Sequence, residues 1–193
     1  MSNYIIFDTE TTGLPQFYGL SPLTKAGNWP DIVSISWLIY DSSKSLIGVK
    51  NYVVRPEGWV VPKESTAIHG ITHEDAMTVG LPLKMVLEDF KGDLKTAKTL
   101  IAHNMAFDRS VVLNAYKWRL GYDNFDFFPS TYICTMELGR MELKMPCKNP
   151  KYWKPPKLDE LYEATFGVAA PAHAHSSLRD TEVCAAIYWR RWV

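Results

Sequence analysis

Residues 4–7, Tyr-Ile-Ile-Phe, form an unbroken apolar run, the pattern of a strand buried on both faces. Ile32–Tyr40 reads as a second strand, 41–45 as a turn and 46–55 as a third strand, which together predict an antiparallel meander. The intervening 11–30 stretch, rich in Gly, Pro and aromatic residues, shows neither strand nor helix period. It is expected to shape the entrance of a site or to cover a sheet edge. Pro56 and Pro62 bracket a loop, and 66–70 and His73–Val79 read as short helical pieces. The rhythm then changes. Leu83, Val86, Leu87 and Phe90 make one helical stripe within 82–95, followed by an apolar strand at 99–102. A second strong helix is predicted over 105–120, stopped by Gly121. Thr131–Cys134 reads as a last strand, 157–166 as a helix entered from Pro155-Pro156, and 177–192 as a closing helix. Strands first, then helix, strand and helix, predict an α/β fold: one mixed sheet flanked by helices.

Onto this frame the polar positions place charge where a core begins. Asp8 and Glu10 follow the first apolar run two residues apart, so an extended chain points both carboxylates to one side. Paired like charges at the edge of a core are costly unless a cation binds them, and a divalent ion suits such a pair. Asp108 sits at the start of the 105–120 helix on the face of Val111, Val112 and Ala115. Asp180 sits at the start of the closing helix on the face of Val183, Cys184, Ile187 and Tyr188. Each of these two acids, alone, also fits a carboxylate that caps a helix N-terminus. Together with Asp8 and Glu10 they point to one shared cation site. His173 and His175 lie in the loop before Ser176 and Ser177, which are expected to cap the closing helix. Either imidazole has the ordinary pKa of a general base, about 6.5. Spacing alone does not choose between them.

Composition narrows the class. A chain of 193 residues with 47% hydrophobic and 13% aromatic content predicts one globular domain over 1–193. No apolar stretch approaches a bilayer span and no signal-like N-terminus is visible, so no membrane partner is expected. Cys134, Cys147 and Cys184 form no C-x-x-C pair and read as free thiols of a reducing, cytoplasmic setting. Zero net charge argues against a general polyanion binder, so nucleic-acid contact requires a local site.

The blocks Phe7-Asp8-Thr9-Glu10-Thr11-Thr12-Gly13-Leu14, Ala102-His103-Asn104-Met105-Ala106-Phe107-Asp108 and Ala172-His173-Ala174-His175-Ser176-Ser177-Leu178-Arg179-Asp180 resemble the DEDDh group of 3′→5′ exonucleases. Ile68-His69-Gly70-Ile71-Thr72 and Lys157-Leu158-Asp159-Glu160-Leu161 match family segments between them, so the resemblance covers nearly the whole chain. The family's H-x4-D spacing selects His175 over His173. The resemblance implies a ribonuclease H-like mixed five-stranded sheet. It implies that Asp8, Glu10, Asp108 and Asp180 hold two Mg²⁺ or Mn²⁺ ions, and that His175 takes a proton from the attacking water. The implied activity is metal-dependent release of nucleoside 5′-monophosphates from single-stranded DNA or RNA 3′ ends, in proofreading or end trimming. Since a neutral His175 is required, the rate is expected to fall in mild acid.

The resemblance also implies substrate contacts. Thr9 belongs to the first of these, and the backbone N–H groups of Thr11, Thr12, Gly13 and Leu14 are expected near the terminal nucleotide. Leu14 stands where some members place an apolar wedge between the last two bases. His69 matches a histidine beside that nucleotide, and Asn104 and Phe107 flank Asp108, with Phe107 equally readable as core. His103 reads as structural. Two alternatives stay open: an oligoribonuclease-like RNA-processing enzyme, and a non-catalytic nucleic-acid-binding module of the same fold. A polymerase or a second copy of the chain is a partner the sequence does not select. The 143–157 segment departs from the family, interleaving Lys144, Lys148, Lys151, Lys154 and Lys157 with Tyr152, Trp153 and four prolines. It reads either as a single-strand contact or as a solvated, proline-stiffened loop.

Overall fold

The computed structural model describes residues 3–171 and 176–193. Five strands form one mixed sheet in the order β3-β2-β1-β4-β5. They are β1 (Asn3–Thr11), β2 (Ile32–Tyr40), β3 (Leu46–Val53), β4 (Ala97–Ala102) and β5 (Thr131–Cys134). The first three pair antiparallel, and β4 and β5 run parallel to β1. The carboxyl ends of β1, β4 and β5 therefore lie at one edge, where ligands bind in open α/β sheets.

Period-two alternation along β1 sorts its side chains between two layers. Ile5 and Phe7 face one layer, made by α3 (Leu83–Leu94) and α4 (Met105–Asn114). There they pack with Trp37, Val86, Leu87, Phe90, Val111 and Val112, all essentially without solvent exposure. Ile6 faces the other layer, where Leu38 and Ile101 meet Cys184, Ala185 and Tyr188 of α7 (Ser177–Arg191). Both faces of the central strand are thus buried, which accounts for the unbroken apolar run at 4–7.

The remaining helices are α1 (Lys63–His69), α2 (His73–Val79), α5 (Thr135–Leu143) and α6 (Leu158–Phe166). Several boundaries differ from the sequence pattern. The first short helix starts at Lys63, three residues before the predicted 66, and ends on Gly70 in the left-handed region (φ 77°). The expected single helix over 105–120 instead stops as α-helix at Asn114 and continues as a π-turn, Ala115–Arg119. The π segment is five residues, about one turn, so the apolar pattern does not register its wider period. Helix α5 was not anticipated at all. It follows β5 without a break, and its glycine, Gly139, packs on Leu161 and Pro156 where a helix former would be expected. No helix among the described residues is long and apolar enough to cross a membrane.

Candidate active site

Asp8 and Glu10 stand on the same face of β1, opposite Ser36 and Ser34 of β2. The hydroxyls of these two serines lie 2.7 and 3.1 Å from that of Ser177, the first residue of α7. Ser177 is therefore a fastener between sheet and helix. The expected cap is absent, since Ser176 occupies the N-cap position and its side chain makes no capping bond. This anchoring sets the first turn of α7 over β1. Asp8, Glu10 and Asp180 each then offer a carboxylate oxygen within 4.8 Å of the other two. That donor set, hard oxygens from three carboxylates, fits a divalent ion such as Mg²⁺ or Mn²⁺.

Asp108 enters from the other layer. Its Oδ1 accepts from the Thr9 amide (3.1 Å) and the Thr9 hydroxyl (2.7 Å). Thr9 points to the α4 side of the sheet because it lies between Asp8 and Glu10. The two bonds fix the Asp108 carboxylate at the sheet edge, and the side chain is 3% exposed. Each helical acid has a specific side-chain partner: Asp108 bonds to Thr9 and Asp180 to Arg179.

The charges repel. Burial, then the carboxylates of Asp108, Glu10 and Asp180, push the Asp8 pKa well above the usual range. Glu10 is raised to about 8, by burial first and then by Asp180 and Asp108. Asp108 is raised to about 7 by burial, against the two Thr9 bonds that pull it down. Three acids pushed this way, with Asp180 beside them, make a strong electrostatic demand for cations.

One protein cation meets part of it, and sequence reasoning missed it. Arg179 donates from Nη1 to Asp180 (2.7 Å) and from Nη2 to Asp159 of α6 (2.9 Å) and to the Pro171 carbonyl (2.8 Å). The adjacent Arg-Asp pair was the available signal, but the spacing of two neighbours on a helix does not predict that they pair.

The second block is held from behind. Asn104 adopts a left-handed conformation (φ 74°) that turns β4 into α4. His103 bridges Thr135 (Nδ1, 3.0 Å) and the Pro156 carbonyl (Nε2, 3.1 Å). A carbonyl only accepts, so Nε2 carries the hydrogen and Nδ1 accepts from Thr135. Burial lowers the His103 pKa to about 4, and the neutral ring is structural, as the sequence suggests.

The predicted substrate residues fall into two groups. Asn104 and Phe107 line a cleft of about 390 Å³ with Tyr18, Leu20, Trp29 and Ser110, and Phe107 stacks at a tilt on Trp29. Leu14, at the end of the first block, is 70% exposed. Others are committed within the protein. The Thr9 hydroxyl serves Asp108. Thr12 donates its amide to the Asp31 carbonyl and accepts from the Asp31 amide. The Thr11 hydroxyl donates to the Gly13 carbonyl, and Gly13 holds φ 143°, a conformation that favours glycine. His69 is buried at the end of α1, its Nδ1 accepting from the Ile71 amide. His173 and His175 lie outside the described residues.

The sequence profile of the RNase T family, described as an exonuclease, matches residues 5–188. The chain belongs to this exonuclease family. Its sheet and its flanking helices are those of a DEDDh-type, ribonuclease H-like exonuclease domain. No curated protein sequence matches the exonuclease domain. Among solved structures, Escherichia coli exonuclease I in complex with a dT13 oligonucleotide is similar, with TM-score 0.75 and 18% identity over 99% of this chain. The zinc-bound form of the E. coli ExoI–ssDNA complex has TM-score 0.73 and 18% identity over 98% of this chain. Exonuclease I from Methylocaldum szegediense, described as moderately thermophilic, has TM-score 0.68 and 18% identity over the whole chain. The exonuclease domain spans 42%, 40% and 41% of those chains, less than half their length.

Proposed function

We propose that this chain is a metal-dependent 3′→5′ exonuclease that trims single-stranded DNA or RNA and releases nucleoside 5′-monophosphates. The observation that carries the reading is the convergence of Asp8, Glu10 and Asp180 within 4.8 Å, with Asp108 fixed beside them through Thr9. Asp8, Glu10, Asp108 and Asp180 would hold two divalent ions, with Asp8, Glu10 and Asp180 as the three-carboxylate group. Such ions, when bound, offset phosphate charge and lower the pKa of water. His175 accepts the proton of the water that attacks the last phosphodiester, and the 3′ oxygen of the preceding nucleotide leaves. Asn104 and Phe107 position the terminal nucleotide against the cleft, and Leu14 wedges against its base. The oligonucleotides in the E. coli exonuclease I complexes, dT13 and dA16, support a single-stranded substrate. The zinc-bound form supports a divalent ion in the same fold.

The test is digestion of 5′-labelled DNA and RNA of matched sequence with Mg²⁺, Mn²⁺ or EDTA. A ladder shortening by single nucleotides with either ion, abolished by EDTA, is expected. Relative rates on the two polymers set the preference. Undigested label in both ions on both polymers would remove the proposal in favour of a binding module.

A further inference from the structure

The chain has no net charge, yet 143–157 holds five lysines and no acid. Two of the five have local roles. Lys154 pairs with Glu160, and Lys157 occupies the N-cap of α6, its amide donating to Glu160. Lys144, Lys148 and Lys151 are exposed and make no ion pair among the described residues. Beside them Tyr152 is 61% exposed and Trp153 42% exposed. Most aromatic rings of this protein are buried in its core or packed against it, whereas Tyr152 and Trp153 are adjacent rings held in water among unpaired lysines.

The loop is also tied to the active site. It leaves α5 at Lys144, and its two limbs are joined by the Lys154 amide donating to the Met145 carbonyl (2.9 Å). The returning limb ends at buried Pro156, whose carbonyl takes the bond from His103, in the turn that carries Asn104 and α4. Three residues on, Asp159 binds Arg179, which holds Asp180. Both arms of the acidic cage therefore rest on the root of this loop.

We propose that residues 144–153 form a landing surface for the nucleic-acid single strand 5′ to its reacting end. Lys144, Lys148 and Lys151 contact phosphates, and Tyr152 and Trp153 stack on bases. The proposal rests on the single-strand exonuclease reading and deepens it. Charge complementarity selects a polyanion, and the exposed rings select a strand with accessible base faces, which a duplex does not offer. The surface also balances the site: the cage is anionic, and a cationic surface beside it lets a polyanion approach.

The experiment uses the full chain in EDTA, where binding is read without cleavage, by fluorescence anisotropy of a labelled single-stranded oligonucleotide of about 15 nucleotides across a salt series. The variant Lys148→Ala/Lys151→Ala is expected to lower the slope of log affinity against log salt by about 1.4, at ~0.7 per lost phosphate contact. Trp153→Ala is expected to weaken binding about tenfold with little change in slope, since stacking releases no counterions. With Mg²⁺ restored, the ratio of kcat/KM on the long oligonucleotide to that on a trinucleotide should fall in both variants. An unchanged slope in the lysine variant, with an unchanged melting temperature, overturns the landing surface. So does an equal loss on the trinucleotide, or an acidic peptide that binds through these lysines while the oligonucleotide ignores them. If wild type binds the strand by these lysines but digests nothing, the exonuclease reading fails and the surface stands. If wild type digests normally and the variants bind normally, only the surface fails.

Discussion

Asp8 shows how much a single position reports. In the sequence it is one carboxylate two residues from another. In the structure it is the acid that all three others repel, raised by burial and then by Asp108, Glu10 and Asp180. Asp8→Asn keeps the side-chain shape and removes one repelling charge. The EDTA-treated variant is therefore expected to melt higher than wild type at pH 8, by roughly 2–4 °C for about 1 kcal/mol of relief. Its further rise on adding Mn²⁺ should shrink, because one ligand is lost. A melt of both proteins with and without Mn²⁺ checks both halves, and a variant that melts lower in EDTA would contradict the repulsion. Arg179 predicts the opposite sign. Its guanidinium, 13% exposed, pairs with Asp180 at 2.7 Å, so Arg179→Gln removes the positive partner of that pair. Removing one partner of a mostly buried pair costs about 3 kcal/mol, a fall of about 6–12 °C in melting temperature for a chain of this size. Differential scanning calorimetry reads it. The four acids were legible because Asp8 and Glu10 share a strand face directly after an apolar run, and Asp108 and Asp180 each interrupt an apolar helix stripe. Arg179 and Ser177 were not, because an arginine or serine at a helix start has many unremarkable uses, and only the tertiary partner distinguishes them.

At the scale of elements, burial on both faces made β1 easy to find, and the α7 stripe of Val183, Cys184, Ile187 and Tyr188 is buried as its spacing implies. Helix α5 was hidden by Gly139, whose low helix propensity breaks the pattern. The same glycine is explained by packing. A Cβ placed there would lie 2.8 Å from Leu161 Cδ1 and 3.0 Å from Pro156 Cγ, so α5 approaches α6 more closely than an alanine permits unaided. Leu161 Cδ1 is the free end of a side chain and yields cheaply, whereas the Pro156 ring does not. Gly139→Ala should therefore be close to neutral, helix propensity of about 1 kcal/mol offsetting the contact. Gly139→Val adds two further carbons toward Pro156 and should destabilise by about 2 kcal/mol. Urea unfolding separates the two cases, and equal loss in both would mean that α5 and α6 cannot slide apart even by a few tenths of an ångström.

At the scale of the whole molecule, zero net charge conceals a segregation: acids gathered at the carboxyl edge of the sheet, unpaired lysines on the loop rooted beside it. Composition alone reads this as neutrality, which is why a local site had to be inferred from motif positions. The segregation has a thermodynamic consequence through Glu10 and Asp108 of the cage. Glu10 and Asp108, raised to about 8 and about 7, bind protons in the folded state that the unfolded chain has already released above pH 5. Stability from these groups is present below their unfolded pKa and is lost as pH rises through the folded values. His103 works the other way. Its folded pKa of about 4 lies below the ordinary 6.5, so it adds stability as pH rises to about 6.5 and is constant beyond. Of these three groups, only the carboxylates of Glu10 and Asp108 contribute a slope between pH 6.5 and 8, and its sign is negative. Metal-free protein should become less stable across that window, measured as the urea midpoint in EDTA at several pH values. Saturating Mn²⁺ favours the ionised carboxylates, so it should flatten or reverse the slope and widen the gap between the two curves as pH rises. A metal-free midpoint that climbs from pH 6.5 to 8 would mean that the four acids are not held together as charges in the folded chain.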